Sequence, residues 1–288
     1  IGLLPKPERA SLFGFRIADD AQLAAAIDKL RVLKQQGLLR SSVVILNDFR
    51  LFSLAQQYPW DVEGAGPPMP EDVRNALRDK HGVGAWEGEG AIYACGEEHD
   101  LVQRFVIGSA LENVVDGVGF VDDPQVVGKT VHLGVPSAGG LALAYWRKRQ
   151  PPPRDGDPDR DRCGTIWCCP SVPFEGEQVL DGIRLIRETC VEYGFEPNLG
   201  IQCVSERTVE ITSSIVFDRD DASQENKALA WHDETMARLV AAGYFPYRLS
   251  IRAMDRLPAA STGYGDFLGR IKSALDPAHV LAPGRYEI

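Results

Sequence analysis

Between residues 20 and 36 the chain reads DAQLAAAIDKLRVLKQQ. Leu23, Ile27, Leu30 and Leu33 fall on one stripe of a 3.6-residue period, and Gly37 is a natural stop. The same period predicts helices over 71–80, 97–112, 177–193 and 222–242. Strand signals lie between them: SVVIL (42–46), GAIYAC (90–95), VVDGVGFV (114–121), GTIWCC (164–169), LGIQCV (199–204) and TVEITSSIVF (208–217). In the last of these Val209, Ile211 and Ser213 alternate with Glu210, Thr212 and Ser214, the two-residue period of a strand with two unlike faces. A final strand is expected at YFPYRLSI (244–251). The second half thus reads strand, helix, strand, strand, helix, strand, the split βαβ order of a ferredoxin-like unit, and the first half reads as a looser version. The expected class is α+β: ferredoxin-like units in a large, mostly antiparallel sheet covered by helices.

Within the last strand signal, Tyr247 and Arg248 stand side by side, and neighbours in a strand point to opposite faces. An arginine in such apolar company needs a partner. On the residues alone, Tyr247 reads as a core aromatic with a wet hydroxyl and Arg248 as a surface residue of an edge strand. Two linking stretches stand out. RKRQPPPRDGDPDRDR (147–162), rich in proline and alternating charge, reads as a mobile surface loop, with a lid or docking loop as its functional alternative. FRLFSLAQQYPW (49–60) is aromatic enough for a dimer interface, or for a loop packed on its own core.

Composition narrows the picture. The net charge of −10 over 288 residues, with no basic stripe, argues against a general nucleic-acid or anionic-membrane binder. No apolar run approaches the roughly 20 residues of a membrane span. The opening IGLLPKPE has neither a basic n-region nor an apolar h-region, and reads as text from within a longer protein. The six cysteines form no CxxC pair and the five histidines have no ligand spacing, so buried reduced thiols in a cytoplasmic protein are expected and no metal site is assigned. Phosphate-cradling glycine loops, the GxSxG elbow and HExxH are all missing.

The ending ALDPAHVLAPGRYEI resembles the C-terminus of the vanillyl-alcohol oxidase / p-cresol methylhydroxylase family of FAD-linked oxidoreductases. IGLLPKPE, SVVI, GVGAW, GVPSAGG…YWR, WCCPSVPFEG, YGFEPN, VFDRDD and GYFPYR match other family segments in order, so the resemblance covers essentially the whole chain. It implies the substrate-binding cap domain of such an enzyme: residues 1–15 as the linker from an FAD-binding domain, 16–258 as the cap, and 259–288 as a tail returning to the FAD-binding domain. Tyr247 and Arg248 then become a pair that binds the oxygen of a para-substituted phenol and favours its phenolate. The phenolate can lose a hydride from its benzylic carbon to the flavin, giving a quinone methide. A free phenol has a pKa near 10. A guanidinium about 4 Å away contributes about 4 kcal/mol, or roughly 3 pK units, before desolvation takes some back. Arg285 of APGR resembles an arginine at the flavin end of the site, so Tyr247, Arg248 and Arg285 are the candidate catalytic residues.

Arg285, Arg248 and Tyr145 are the candidate cofactor contacts. Tyr145, in ALAYWR, is the candidate for a covalent FAD link, with noncovalent FAD as the default; Thr165 stands where oxidase-type members carry a linking histidine. Gly140, and Gly200 or Gln202, stand where cresol-type members carry glutamates. Acidic help must then come from Glu206, Glu210 or the FAD-binding half, and a bulkier or chemically different para-substituent is expected. The implied partners are the FAD-binding half, in the same polypeptide or as a separate subunit, a phenolic substrate, a second copy in a homodimer, and a cytochrome c acceptor; nucleic acid and membrane are not expected. Two other readings stay open: the cap of a hydroxyacid-type FAD-linked oxidase, and a stand-alone α+β binding module.

Overall fold

The computed structural model of the chain describes residues 6–254, 256, 261–283 and 285. Nine strands form one sheet: β1 (Arg9–Ile17), β2 (Val43–Asn47), β3 (Trp86–Ala94), β4 (Gly117–Val121), β5 (Cys163–Cys168), β6 (Pro170–Pro173), β7 (Asn198–Cys203), β8 (Thr208–Asp218) and β9 (Phe245–Pro246). The helices are α1 (Asp20–Gln35), α2 (Asp48–Ala55), α3 (Glu71–His81), α4 (Glu97–Leu111), α5 (Pro124–Val127), α6 (Gly176–Glu192), α7 (Ala222–Ala241) and α8 (Thr262–Leu275). Among the described residues no helix is long and apolar enough to cross a membrane.

The strand order is β4-β1-β3-β2-β7-β8-β6-β9, with β5 also on β8, and every pairing is antiparallel. Each half is a complete ferredoxin-like unit, so the first half is not the looser version its sequence suggests. The two units join edge to edge: Val43 of β2 lies opposite Cys203 of β7, and Leu46 opposite Gly200. Joining the edges removes two unpaired strand margins. The sheet also starts earlier than expected, because β1 begins at Arg9, inside the 1–15 stretch expected to link domains.

One broad core lies between the sheet and α1, α4, α6 and α7. On β7 and β8 the odd-numbered Leu199, Ile201, Cys203, Val209, Ile211, Ile215 and Phe217 enter it. The even-numbered positions therefore face the opposite side of the sheet. There α2, α3 and the segment 139–146 build a second cluster around Phe49, Phe52, Tyr58, Leu143, Trp146 and Val216. The FRLFSLAQQYPW stretch thus packs on its own chain, with Phe49 and Phe52 buried on α2.

Two expectations are corrected. YFPYRLSI is not a long strand: β9 stops after two residues, where Pro246 faces Pro170 across the ladder. Neither proline has an N–H to donate, so the pairing cannot propagate. Likewise the 147–162 stretch does not start as a surface loop, because Arg147 is buried and bonds Glu196 Oε2 at 2.6 Å. Its later part is exposed but tied to the β8–α7 turn by Arg162–Asp220 and Arg219–Asp159 ion pairs at 2.6 and 2.8 Å.

Candidate active site

A hollow of about 620 Å³ opens on the even-numbered face of β7 and β8, beside β5, α7 and the segment after β9. Its volume is within the range of small-molecule sites. Tyr247 and Arg248 both line it. The same proline pairing that ends β9 frees the backbone here, and Tyr247 N then donates to Cys169 O at 3.2 Å. Strand alternation no longer applies at Tyr247, so adjacent residues can reach one cavity. Among the described residues, neither the Tyr247 hydroxyl nor the Arg248 guanidinium has a hydrogen-bond or ion-pair partner, and Tyr247 is 56% exposed.

Two more arginines line the hollow. Arg252, after β9, is neutralised by Asp233 at 2.7 Å. Arg50 is not. It sits on α2, whose start is fixed by Asn47: the Asn47 side chain accepts from Arg50 N at 3.1 Å. The Arg50 guanidinium donates to Ser214 Oγ at 2.9 Å and lies 4.8 Å from the centroid of Trp167. Burial pulls its pKa down to about 10.

The rest of the lining carries no acidic side chain: Thr165, Trp167, Cys169, Gln202, Thr212, His232 and Ser250 supply its other polar side chains. The Cys169 thiol is pushed up to about 11, chiefly by burial, against the pull of Arg50 and Arg248. His232, on α7, has its pKa lowered by burial; its Nδ1 lies 3.7 Å from Asp233 Oδ1, too far for a hydrogen bond. No aspartate or glutamate lines the cavity among the described residues. Glu210 is occupied by Ser171 Oγ at 2.8 Å, and neither it nor Glu206 reaches the hollow. Of the two alternatives for the second replaced glutamate, Gln202 lines the cavity, whereas a Cβ at Gly200 would meet Thr212 Oγ1 at 2.7 Å; Gly140, at the first replaced position, is not part of the lining.

The structure brings together Tyr247, Arg248, Thr165 and Gln202. It does not bring Tyr145 or Arg285 to them. Tyr145 is buried, and its hydroxyl donates to Asp161 Oδ2 at 2.6 Å, with desolvation and that carboxylate raising its pKa. Arg285 is exposed, with its N–H on Ala282 O at 3.2 Å. Gly284 and 286–288 of the APGRYEI ending lie outside the described residues. Sequence reading missed Arg50, Trp167 and His232. Trp167 at a position facing away from the helix-covered core, two residues before Cys169, was the signal available.

The chain is 39% identical over its full length to 1'-carboxy-chondrochloren decarboxylase of Chondromyces crocatus, covering 58% of that protein. It is 24% identical to the 4-cresol dehydrogenase [hydroxylating] flavoprotein subunit of Pseudomonas putida, over 98% of this chain and 53% of that subunit. A structure of p-cresol methylhydroxylase with substrate bound superposes with a TM-score of 0.82 at 22% identity, over 99% of this chain and 54% of that one. In sequence and in fold the chain is thus similar to the FAD-linked oxidoreductases of the vanillyl-alcohol oxidase / p-cresol methylhydroxylase family. It has the α+β fold of the matching part of these neighbours, and spans a little over half the length of the relatives it matches. No protein-family model matches the chain.

Proposed function

We propose that this chain is the substrate half of an FAD-dependent oxidoreductase that takes a para-substituted phenol and holds its oxygen with Arg248 and Tyr247. One observation carries the reading: a free guanidinium and a free phenolic hydroxyl, adjacent in sequence, line the same cavity. The donor set fits the edge of a flavin as well, because a hollow with two arginines free of acidic partners, and no carboxylate among its described lining, favours electron-rich, anionic rings. FAD, held chiefly by the other half of the protein, supplies the hydride acceptor. Arg248 stabilises the phenolate electrostatically, without a charge that titrates away. Tyr247 donates the hydrogen bond that fixes the oxygen in place. The phenolate so held gives up a hydride from its benzylic carbon and becomes a neutral quinone methide.

A second reading concerns the fate of the quinone methide. Addition of water to it needs a base, and the described lining has no carboxylate to act as one. A quinone methide whose side chain carries a carboxylate on the next carbon can instead release carbon dioxide. The electron pair of the broken C–C bond forms the new alkene, and the ring returns to phenolate. The Chondromyces relative, a decarboxylase by name, favours this outcome.

Arg248→Ala in the full-length flavoprotein tests the anchor. With about 4 kcal/mol at stake, flavin reduction by 4-alkylphenols falls by about 10³-fold while the bound-FAD spectrum is unchanged. Unaltered reduction rates would remove the phenolate role. A hydroxyacid-type oxidase would use the arginines without a phenol donor, so full activity in Tyr247→Phe toward 2-hydroxyacids, with none toward phenols, would favour that alternative.

A further inference from the structure

Arg50 is the unexplained group of the hollow. It is 7% exposed, and among the described residues no carboxylate comes within ion-pair distance of it. Of its N–H groups, only those on Nη1 have a described partner, the Ser214 hydroxyl. Burying an unpaired charge is costly, and the face of Trp167 offsets that only in part. A guanidinium held this way presents a rigid fork suited to a two-oxygen anion. The second charge of Arg50 is not needed by the phenol, which Arg248 serves. Arg50, Cys169 and Arg248 line the same cavity, so both cations face the space a ligand would fill. Arg252 does not compete, being already paired with Asp233. Gln202, Thr212 and Thr165 bring no charge of either sign.

We infer that Arg50 is a second anion-binding residue of this site, and that it receives a carboxylate carried on the para side chain of the substrate. This rests on the phenol-binding reading above and narrows it to 4-hydroxyphenyl compounds with a side-chain acid. With the ring oxygen at Arg248 and the carboxylate at Arg50, the substrate is held at both ends, and the benzylic carbon between them is fixed. A neutral 4-alkylphenol can use only one of the two cations. Arg50 remains protonated across the neutral range, its pKa near 10, so the site does not switch off with pH.

The test is calorimetric binding to the full-length flavoprotein, with 3-(4-hydroxyphenyl)propanoate, its methyl ester and 4-propylphenol as probes. The wild type is expected to prefer the acid to the ester by about tenfold or more. Arg50→Gln is expected to lose that preference while binding the ester and 4-propylphenol as before, and Arg50→Lys to restore part of it. No acid preference in the wild type, which needs no variant and no folding control, overturns the inference. So does an undiminished preference in Arg50→Gln. Equal weakening of all three ligands by Arg50→Gln also overturns it, by assigning Arg50 to the ring oxygen. Failure of the phenol reading looks different: Arg248→Ala then leaves the affinity for 4-propylphenol unchanged, whatever Arg50 does.

Discussion

Asp48 shows how a single buried side chain can set the position of a functional one. It is fully buried at the start of α2, where its carboxylate takes Arg74 Nε and Arg78 Nε, each at 2.6 Å, from α3. It therefore locks the two helices whose packing holds Arg50 at the hollow. Asp48→Ala would leave two partly buried guanidiniums with only the exposed Glu71 as an acidic partner and cost about 3 kcal/mol, read as a lower urea midpoint, with weaker ligand binding as the secondary effect. His232 supplies a pH prediction. Burial lowers its folded-state pKa below the ordinary value of about 6.5, with Arg252 and Arg256 helping and Asp233 opposing. Below pH 6.5 the unfolded chain therefore takes up a proton that the folded chain refuses. The His232 contribution to stability is complete above that pH, falls as pH drops below it, and levels only under the depressed folded value. In a comparison of wild type with His232→Gln, the variant should lose stability less steeply between pH 6.5 and 5; parallel slopes would contradict the burial effect. At this scale the sequence pointed to Tyr247, Arg248 and the Thr165 and Gln202 positions through short matching segments. It did not point to Arg50, because the contact with Ser214 joins residues 164 positions apart and leaves no local pattern.

The elements were more legible than the side chains. The helices predicted from the 3.6-residue period at 20–36, 97–112, 177–193 and 222–242 match α1, α4, α6 and α7 closely, since each needs an apolar stripe to cover the sheet. Short pieces escaped. The eight residues of α2 have aromatic positions that read as a loop, and β1 was hidden in a stretch given to a linker. The last strand failed for the opposite reason: apolar character was present, but Pro246 and Pro170 meet and leave no donor. Element packing carries its own prediction at Gly176. This first residue of α6 crosses α1 so closely that a Cβ would lie 2.4 Å from the Ala24 carbonyl oxygen, a backbone atom that cannot rotate away. Because α1 belongs to the first unit and α6 to the second, the contact helps to seal the β2–β7 junction beneath. Gly176→Ala should cost about 1–3 kcal/mol, seen as a lower urea midpoint with an unchanged slope. A midpoint equal to wild type would mean that the helices slide apart without penalty.

For the molecule as a whole, the exposed apolar surface includes one organised stripe. Helix α8 presents Tyr264, Phe267, Ile271 and Leu275 to solvent at helical spacing, and Phe267 is 58% and Leu275 76% exposed. A stripe of that kind normally covers something. Within our reading of the chain as a substrate half, the 259–288 tail covers the FAD-binding half, which would also bring Arg285 toward the cofactor. Covering one phenylalanine is worth about 2 kcal/mol. Phe267→Asp in the full-length flavoprotein should therefore weaken the docking of α8 by roughly 30-fold or more, because a carboxylate must also be desolvated. The expected signature is faster release of FAD on dilution and faster tryptic cleavage after Arg270 and Lys272. The melting of this chain produced alone should not change, since Phe267 is already exposed in it. If FAD release and cleavage both match wild type, the tail does not return to the cofactor, and Arg285 loses its proposed role with it. A drop in the melting temperature of the isolated chain would instead show that α8 packs on its own domain.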